Sequence, residues 1–98
     1  MTTGWTGVFP AVTTQFNEDF SIDLKATQGV QDALVRDGVN GLIVMGTCGE
    51  NNSLDPDEKR KILAAAVEVV KGRVPVVTGV SEFDTRRAIA YARDAERI

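Results

Sequence analysis

The residues best suited to chemistry lie in one short loop, Gly46 to Leu54, which directly follows an apolar run. Two glycines bracket a hydroxyl and a thiol there, in the order Gly46-Thr47-Cys48-Gly49. Glycines allow a tight turn in which backbone N–H groups converge on an anion such as a carboxylate. The Thr47 hydroxyl can donate and accept hydrogen bonds, so it can relay a proton or orient a carbonyl. The pattern predicts a small-anion site, although ordinary turns have similar sequences.

Other polar side chains carry weaker signals. Cys48 is the one cysteine of a chain without histidine, so no imidazole activates it, and we interpret it as a small buried or pocket-lining residue. Glu50 fits a loop carboxylate better than a general base. The basic run Lys59 to Lys61 lies early in a predicted helix and is interpreted as a solvated face. Tyr91 falls on an apolar helical stripe, which predicts a core position.

Three segments are candidates for strands: residues 7–12, 41–45 and 74–78. The second and third are continuous apolar runs, which are typical of parallel strands buried on both faces. Pro10 cannot donate to a ladder, so we expect weak or broken hydrogen bonding in the first strand.

A helical pattern follows each strand. Asp55 and Glu58 form a capping box at the start of the second helix, and Asp84 is the cap candidate of the third. Gly38 and Gly72 stand where the first and second helices should end. The residues predicted to be buried are Ala26, Val30, Ala33 and Leu34 in the first helix, Leu63, Ala66, Val67 and Val70 in the second, and Ala88, Tyr91, Ala92 and Ala95 in the third.

The resulting order is βαβαβα, which predicts an α/β fold with parallel strands and right-handed crossovers. Two architectures have this order: the doubly wound open sheet and the (βα)8 barrel. The units are about 33 residues long, close to the roughly 31 residues per unit of a barrel of about 250 residues. No linker divides residues 1–98, so we expect one segment of a single larger domain, with no internal boundary.

Composition excludes several classes of protein. The chain has 98 residues, with 11 basic against 14 acidic side chains and a net charge of −3, which argues against a nucleic-acid partner. Without histidine and with one cysteine, the sequence predicts neither a metal centre nor an internal disulfide. The longest apolar run, Ile62 to Val67, is far short of a membrane span, and no secretory signal is visible. We therefore expect a cytoplasmic protein.

One motif resembles that of a known family. Residues 46–50, followed by Leu54 and Glu58, resemble the G-[TS]-T-G-E-x-x-x-L-x-x-x-E signature of the dihydrodipicolinate synthase and N-acetylneuraminate lyase family. Residues 7–16 resemble its first strand and loop, and residues 74–80 its third strand. The resemblance covers nearly the whole chain in order and spacing, and it implies the first three βα units of a TIM (βα)8 barrel.

The resemblance also implies a function, that of a class I lyase acting on pyruvate or a related 2-oxo acid. Such an enzyme forms a Schiff base between a lysine of the sixth strand and the oxo carbon, and the protonated imine is the electron sink. A tyrosine of the fourth strand relays a proton with a hydroxyl that Thr47 matches. Cys48 and Gly46 match positions that bind the substrate carboxylate, and Gly79 matches a glycine near the site floor. The implied site uses no metal or cofactor, and the family is commonly homotetrameric.

Departures from the family pattern bear on the substrate. Cys48 stands where the family usually has Thr, Thr14 where it has Pro, and Phe20 and Ser81 where it has Gly. These changes favour a catabolic relative, such as a sugar-acid aldolase or dehydratase, over a dihydrodipicolinate synthase proper. The implied lysine and tyrosine fall outside the 98 residues, so the chain alone is expected to be inactive. Two alternatives stay open: a non-catalytic part-barrel fragment with an assembly role, and a doubly wound domain that binds a small ligand.

Overall fold

The computed structural model describes residues 4–98, and the first three residues lie outside it. Helices alternate with short strands along the described chain, as the sequence predicts. The elements are α1 Leu24–Arg36, β1 Leu42–Val44, a 3₁₀ turn Asn51–Ser53, α2 Pro56–Val70, β2 Val76–Thr78 and α3 Thr85–Arg97.

The sheet is parallel, and β1 is its central strand. It pairs with β2 in the register Leu42 to Val76 and Val44 to Thr78. On its other edge, β1 meets the first predicted strand at a single parallel bridge between Ala11 and Ile43. The expected weak ladder beside Pro10 is confirmed, because the proline offers only its carbonyl, which accepts from the Ile43 N–H at 3.0 Å. The predicted strands at residues 41–45 and 74–78 form, but each is shorter than expected.

The helix ends follow the predicted signals. Glu58 Oε1 accepts from the Asp55 N–H at 2.9 Å and closes the capping box. Asp84 Oδ1 accepts from the Arg87 N–H at 2.7 Å at the start of α3. Gly38 and Gly72 have φ values of 99° and 72°, a region that glycine adopts without steric cost.

The core lies where α2 packs against the sheet and its two neighbouring helices. Leu63, Ala66 and Val70 are buried as predicted, whereas Val67 is 40% exposed. In α3 the prediction holds for Tyr91, but Ala92 is exposed. The core is therefore formed mainly by one face of α2 together with the residues Val12, Leu42, Val44, Met45, Leu54 and Tyr91.

Tyr91 fixes α3 to the end of β2. Its hydroxyl lies 2.9 Å from Thr78 Oγ1, and the Arg60 guanidinium sits 5.6 Å from the ring centroid. Burial raises the pKa of the Tyr91 phenol above its usual value, and the hydrogen bond to Thr78 offsets only part of this effect. The tyrosine is therefore a neutral core residue with a satisfied hydroxyl, as its position on the apolar stripe predicts.

The buried face of α1 differs from the prediction. Ala26 is exposed and Val30 only half-buried, whereas Thr27 and Gln31 are the buried residues. Thr27 is satisfied, because its hydroxyl donates to the Asp23 carbonyl at 2.8 Å and accepts from the Gln15 N–H. Both amide atoms of Gln31 lack a hydrogen-bond partner among residues 4–98. Val30 and Leu34 of the predicted stripe pack against the core, but the fully buried positions, Thr27 and Gln31, each follow a predicted residue by one.

Hydropathy gives one further result for the described part of the chain. Of the helices within residues 4–98, none is long and apolar enough to span a membrane.

The unpaired amide of Gln31 predicts a stabilising substitution. Leaving a buried polar group unsatisfied costs about 1–3 kcal/mol, and methionine has a similar length without polar N–H or C=O groups. We expect Gln31→Met to raise the free energy of unfolding by about 1 kcal/mol. Denaturant unfolding measures it. Gln28→Met is the matched control on the same helix, because Gln28 Nε2 donates to the Ala65 carbonyl at 2.9 Å and its loss should be destabilising. Equal effects of the two substitutions would contradict the assignment.

Candidate functional site

The loop after β1 folds into consecutive tight turns. The Gly46 carbonyl accepts from the Gly49 N–H at 3.1 Å and from the Asn51 N–H at 3.3 Å, and the Thr47 carbonyl accepts from the Glu50 N–H at 3.0 Å. Met45 and Glu50 have left-handed φ values of 61° and 60°. Such values are unusual for residues with a Cβ and reverse the chain direction directly after the strand.

The backbone conformation at this turn makes β1 shorter than the sequence predicts. The sequence predicts that the second strand runs to Met45, but β1 ends at Val44 because Met45 adopts the left-handed conformation. Met45 is 1% exposed, so burial of its side chain helps to hold the strained backbone in place. Thr47 then lies on the turn rather than in the strand.

Thr47 and Cys48 are both exposed at this turn. Of the two interpretations of Cys48, the buried one is wrong, since its free thiol lies on the surface of the described chain, and the pocket-lining one stays a prediction. The carboxyl ends of parallel strands are where ligand sites form in (βα)8 barrels. A hydroxyl and a thiol are thus available at the edge of the sheet where substrates bind in this architecture.

Gly79 lies against the same turn, at the end of β2. Its N–H donates to the Val44 carbonyl at 2.9 Å. A Cβ on Gly79 would lie 2.3 Å from the Met45 carbonyl oxygen and 3.6 Å from the Gly46 nitrogen. The structure therefore places Gly79 beside Met45 and Gly46, and only glycine fits at position 79.

The loop after the first predicted strand also reaches this turn. Thr14 is 6% exposed, and its hydroxyl donates to the Gly49 carbonyl at 2.7 Å. Proline, the usual family residue at this position, has no hydroxyl to make this bond. At the other departure in this loop, Phe20 has a φ of 71° and is 85% exposed, which explains why glycine is common there.

Lys59 is the residue that sequence reasoning placed wrongly. It is 4% exposed, and its ammonium lies 3.3 Å from Glu82 Oε1 and donates to the Ser81 carbonyl at 3.4 Å. Lys61 is exposed, so the interpretation of a solvated basic face holds for it but fails for Lys59. The sequence did contain a signal for this burial. Lys59 lies one helical turn before Leu63, on the same face of α2 as the buried residues Leu63, Ala66 and Val70.

A cavity of about 400 Å³ lies beside Lys59, between the two loops and the starts of α2 and α3. Its lining includes Asn51, Asp55, Glu82 and Arg87, and it includes none of Thr47, Cys48 and Gly79. The candidate site at the sheet edge and this cavity are therefore separate features of the same pair of loops. Within residues 4–98, no three His, Cys, Asp or Glu side chains are grouped so as to hold a metal ion.

Parallel strands joined by helices, with glycine turns gathered at their carboxyl ends, define part of a (βα)8 barrel. The chain belongs to the dihydrodipicolinate synthetase family, whose model matches residues 4–98. It has the fold of the first three βα units, with the first strand reduced to one bridge. The doubly wound alternative is not favoured.

Individual relatives agree with the family assignment. The chain is 40% identical over 89 residues to a 4-hydroxy-tetrahydrodipicolinate synthase of Salinibacter ruber, covering 91% of this chain and 30% of that protein. It is 36% identical over 92 residues to a probable 2-dehydro-3-deoxy-D-pentonate aldolase of Escherichia coli, covering 94% and 31%. A crystal structure of YagE, an Escherichia coli prophage protein of the same family in complex with pyruvate, superposes with a TM-score of 0.91 at 33% identity, covering 97% and 32%. The chain thus spans about a third of the length of these relatives.

The contact between Gly79 and Met45 predicts a sharp difference between two glycines. Gly79→Ala should lower the free energy of unfolding by about 1–3 kcal/mol, because the new methyl group would overlap the Met45 carbonyl. Gly46→Ala is the control, since a Cβ there has no atom within 4 Å among the described residues. Chemical denaturation of both variants measures the difference. A Gly79→Ala variant as stable as Gly46→Ala would contradict the described approach of the two loops.

Proposed function

We propose that this chain is the N-terminal segment of a longer class I lyase that acts on pyruvate or a related 2-oxo acid. The observation that carries the proposal is the exposed Thr47–Cys48 turn beside Gly79, at the carboxyl edge of a parallel sheet in a member of this family. Two curated relatives are named as a synthase and a probable aldolase, and a structural neighbour is described in complex with pyruvate. Aldol condensation, aldol cleavage and dehydration all fit this class of chemistry.

The turn supplies two functions in the proposed mechanism. Backbone N–H groups around Gly46 and Cys48, with Gly79 opposite, bind the substrate carboxylate, because a turn concentrates donors where an anion can approach. The Thr47 hydroxyl passes a proton between the substrate and a tyrosine supplied by a later strand. The electron sink is the protonated imine on a lysine of a later strand, so the proposed reaction uses no metal or cofactor.

The Cys48 thiol affects which substrates the proposed site would prefer. Replacing the usual threonine keeps the backbone donor and removes the hydroxyl donor, so one contact to a polar substrate group is lost. Together with Thr14 and Phe20 in the neighbouring loop, this change favours a catabolic enzyme that acts on a sugar-derived 2-oxo acid. A probable pentonate aldolase and several 4-hydroxy-tetrahydrodipicolinate synthases are similarly identical to the chain, so the preference rests on these residues.

We propose a homo-oligomer, a tetramer by resemblance to the family, that works in the cytoplasm on a small-molecule substrate without nucleic-acid or membrane partners. The net charge of −3 supports the absence of a nucleic-acid partner, because phosphate binding requires a basic face.

Thr47 allows a direct test of the proton relay. In the complete enzyme, Thr47→Val should lower kcat by about 10²–10⁴-fold, because valine has the shape of threonine but no hydroxyl. Thr47→Ser keeps the hydroxyl and should retain most of the activity, and Cys48→Thr should have a mild effect that includes a change in substrate preference. Steady-state kinetics with pyruvate and candidate 2-oxo acids measure these effects. A Thr47→Val enzyme with wild-type kcat would reject the relay.

Borohydride trapping locates the reactive amine. The complete protein incubated with pyruvate and borohydride should gain the mass of one reduced adduct, on a lysine outside residues 1–98. The 98-residue chain alone should gain none, because a nucleophilic amine must be unprotonated, and desolvation without an anionic partner is what favours that state.

The four lysines of this chain lack that environment. Lys25, Lys61 and Lys71 are exposed. The interpretation of a solvated face is wrong for Lys59, but its nitrogen is held in an ion pair with Glu82 and in a hydrogen bond to the Ser81 carbonyl, so it is not free to attack an oxo carbon. Mass spectrometry that maps the adduct to any of these four lysines would overturn the assignment.

A further inference from the structure

Two side chains converge on one backbone carbonyl between the loops that follow β1 and β2. Asn51 Nδ2 donates to the Ser81 carbonyl at 2.9 Å, and the Lys59 ammonium donates to the same oxygen at 3.4 Å. The ammonium also donates to Glu82 Oε1 at 3.3 Å. Asn51 belongs to the first loop, Ser81 and Glu82 to the second, and Lys59 to α2. These four residues form what we call the loop clamp.

The clamp is bonded directly to the candidate site. The Asn51 N–H donates to the Gly46 carbonyl at 3.3 Å, so the residue that holds Ser81 also closes the Thr47–Cys48 turn. Ser81 lies two positions after Gly79, which approaches that turn from the other side. A movement of Ser81 away from Asn51 would therefore change the separation of the two loops that bind the substrate carboxylate in the proposed site.

The loop clamp contributes little net stability, because burying its two charged side chains costs free energy. The side chains of Lys59 and Glu82 are 5% and 3% exposed, so both charges have lost their hydration. A buried ion pair repays this loss only partly, and apolar residues of similar volume often replace such pairs without loss of stability. What an apolar pair cannot supply is a hydrogen bond to the Ser81 carbonyl.

We propose that Lys59 and Glu82 are positioning residues, whose buried ion pair sets the separation of the Thr47–Cys48 turn from the Gly79 loop. The functional part of this inference rests on the proposed lyase activity, whereas the structural part does not. Neither residue reaches the substrate in this scheme. They act through Ser81 and Asn51.

The test separates positioning from stability by comparing two variants of the complete protein. Lys59→Met alone leaves the Glu82 carboxylate buried without its partner, so its Tm should fall well below that of the wild type. The double variant Lys59→Met/Glu82→Leu removes both charges and should recover most of that Tm. Its kcat/KM for the 2-oxo acid should nevertheless fall by about 10–100-fold, mainly through a raised KM, because the carboxylate-binding loops are misplaced. Lys61→Met, on the exposed face of the same helix, is the control and should match the wild type.

Hydrogen exchange gives a readout that does not depend on catalysis. In the double variant the Asn51 and Gly79 amides should exchange about tenfold faster or more, while the α1 amides keep their protection, because only the loops loosen. A double variant with recovered Tm, wild-type KM and unchanged exchange would overturn the positioning role. If the wild type forms no adduct with any 2-oxo acid, the proposed function fails, and the exchange data still decide whether the clamp sets the loops.

Discussion

The described structure depends on β1, a strand of three residues with hydrogen-bonded neighbours on both edges. On one edge, the Val12 N–H donates to the Ile43 carbonyl at 2.9 Å, and on the other the Leu42 N–H donates to the Pro75 carbonyl at 3.0 Å. Leu42 and Val44 are buried, so the strand is also the centre of the core. Because parallel strands share one direction, this pairing brings the loops after all three segments to one edge. The candidate site exists only because of that alignment.

At this edge of the sheet, polar contacts that are buried or half-buried join the loops to one another. The Thr14 hydroxyl holds Gly49, and Asn51 and Lys59 hold Ser81, so each of the three loops is bonded to another. Backbone carbonyls in such loops have no strand partner, and burial would leave them unsatisfied without these donors. A (βα)8 barrel thus separates two tasks, with apolar strands supplying stability and polar loop contacts fixing geometry.

Packing constrains the loop residues at this edge to different degrees. Cys48 replaces a threonine on the outer side of the turn, where the thiol is exposed and no core contact depends on it. Gly79, in contrast, lies within contact distance of the Met45 carbonyl and tolerates no side chain. Residues at exposed tips can therefore change without disturbing the packing, whereas the residues where the loops approach each other are constrained by it.

Much of the secondary structure depends on interactions between residues that are close in sequence, so it can be predicted from the sequence. The capping box at Asp55, the cap at Asp84 and the stop at Gly38 depend on neighbours within a helical turn, so the helices appear where predicted. The apolar runs determined which segments become strands, and the Gly46–Glu50 motif identified the family. The tertiary structure alone decided three things: the end of β1 before Met45, the full burial of Gln31 in α1, and the ion pair of Lys59 with Glu82. Each depends on a partner distant in sequence or on a backbone conformation imposed by packing. From the sequence alone, Lys59 is predicted to be solvated. The fold places the Glu82 carboxylate, from another loop, beside its ammonium and buries both side chains.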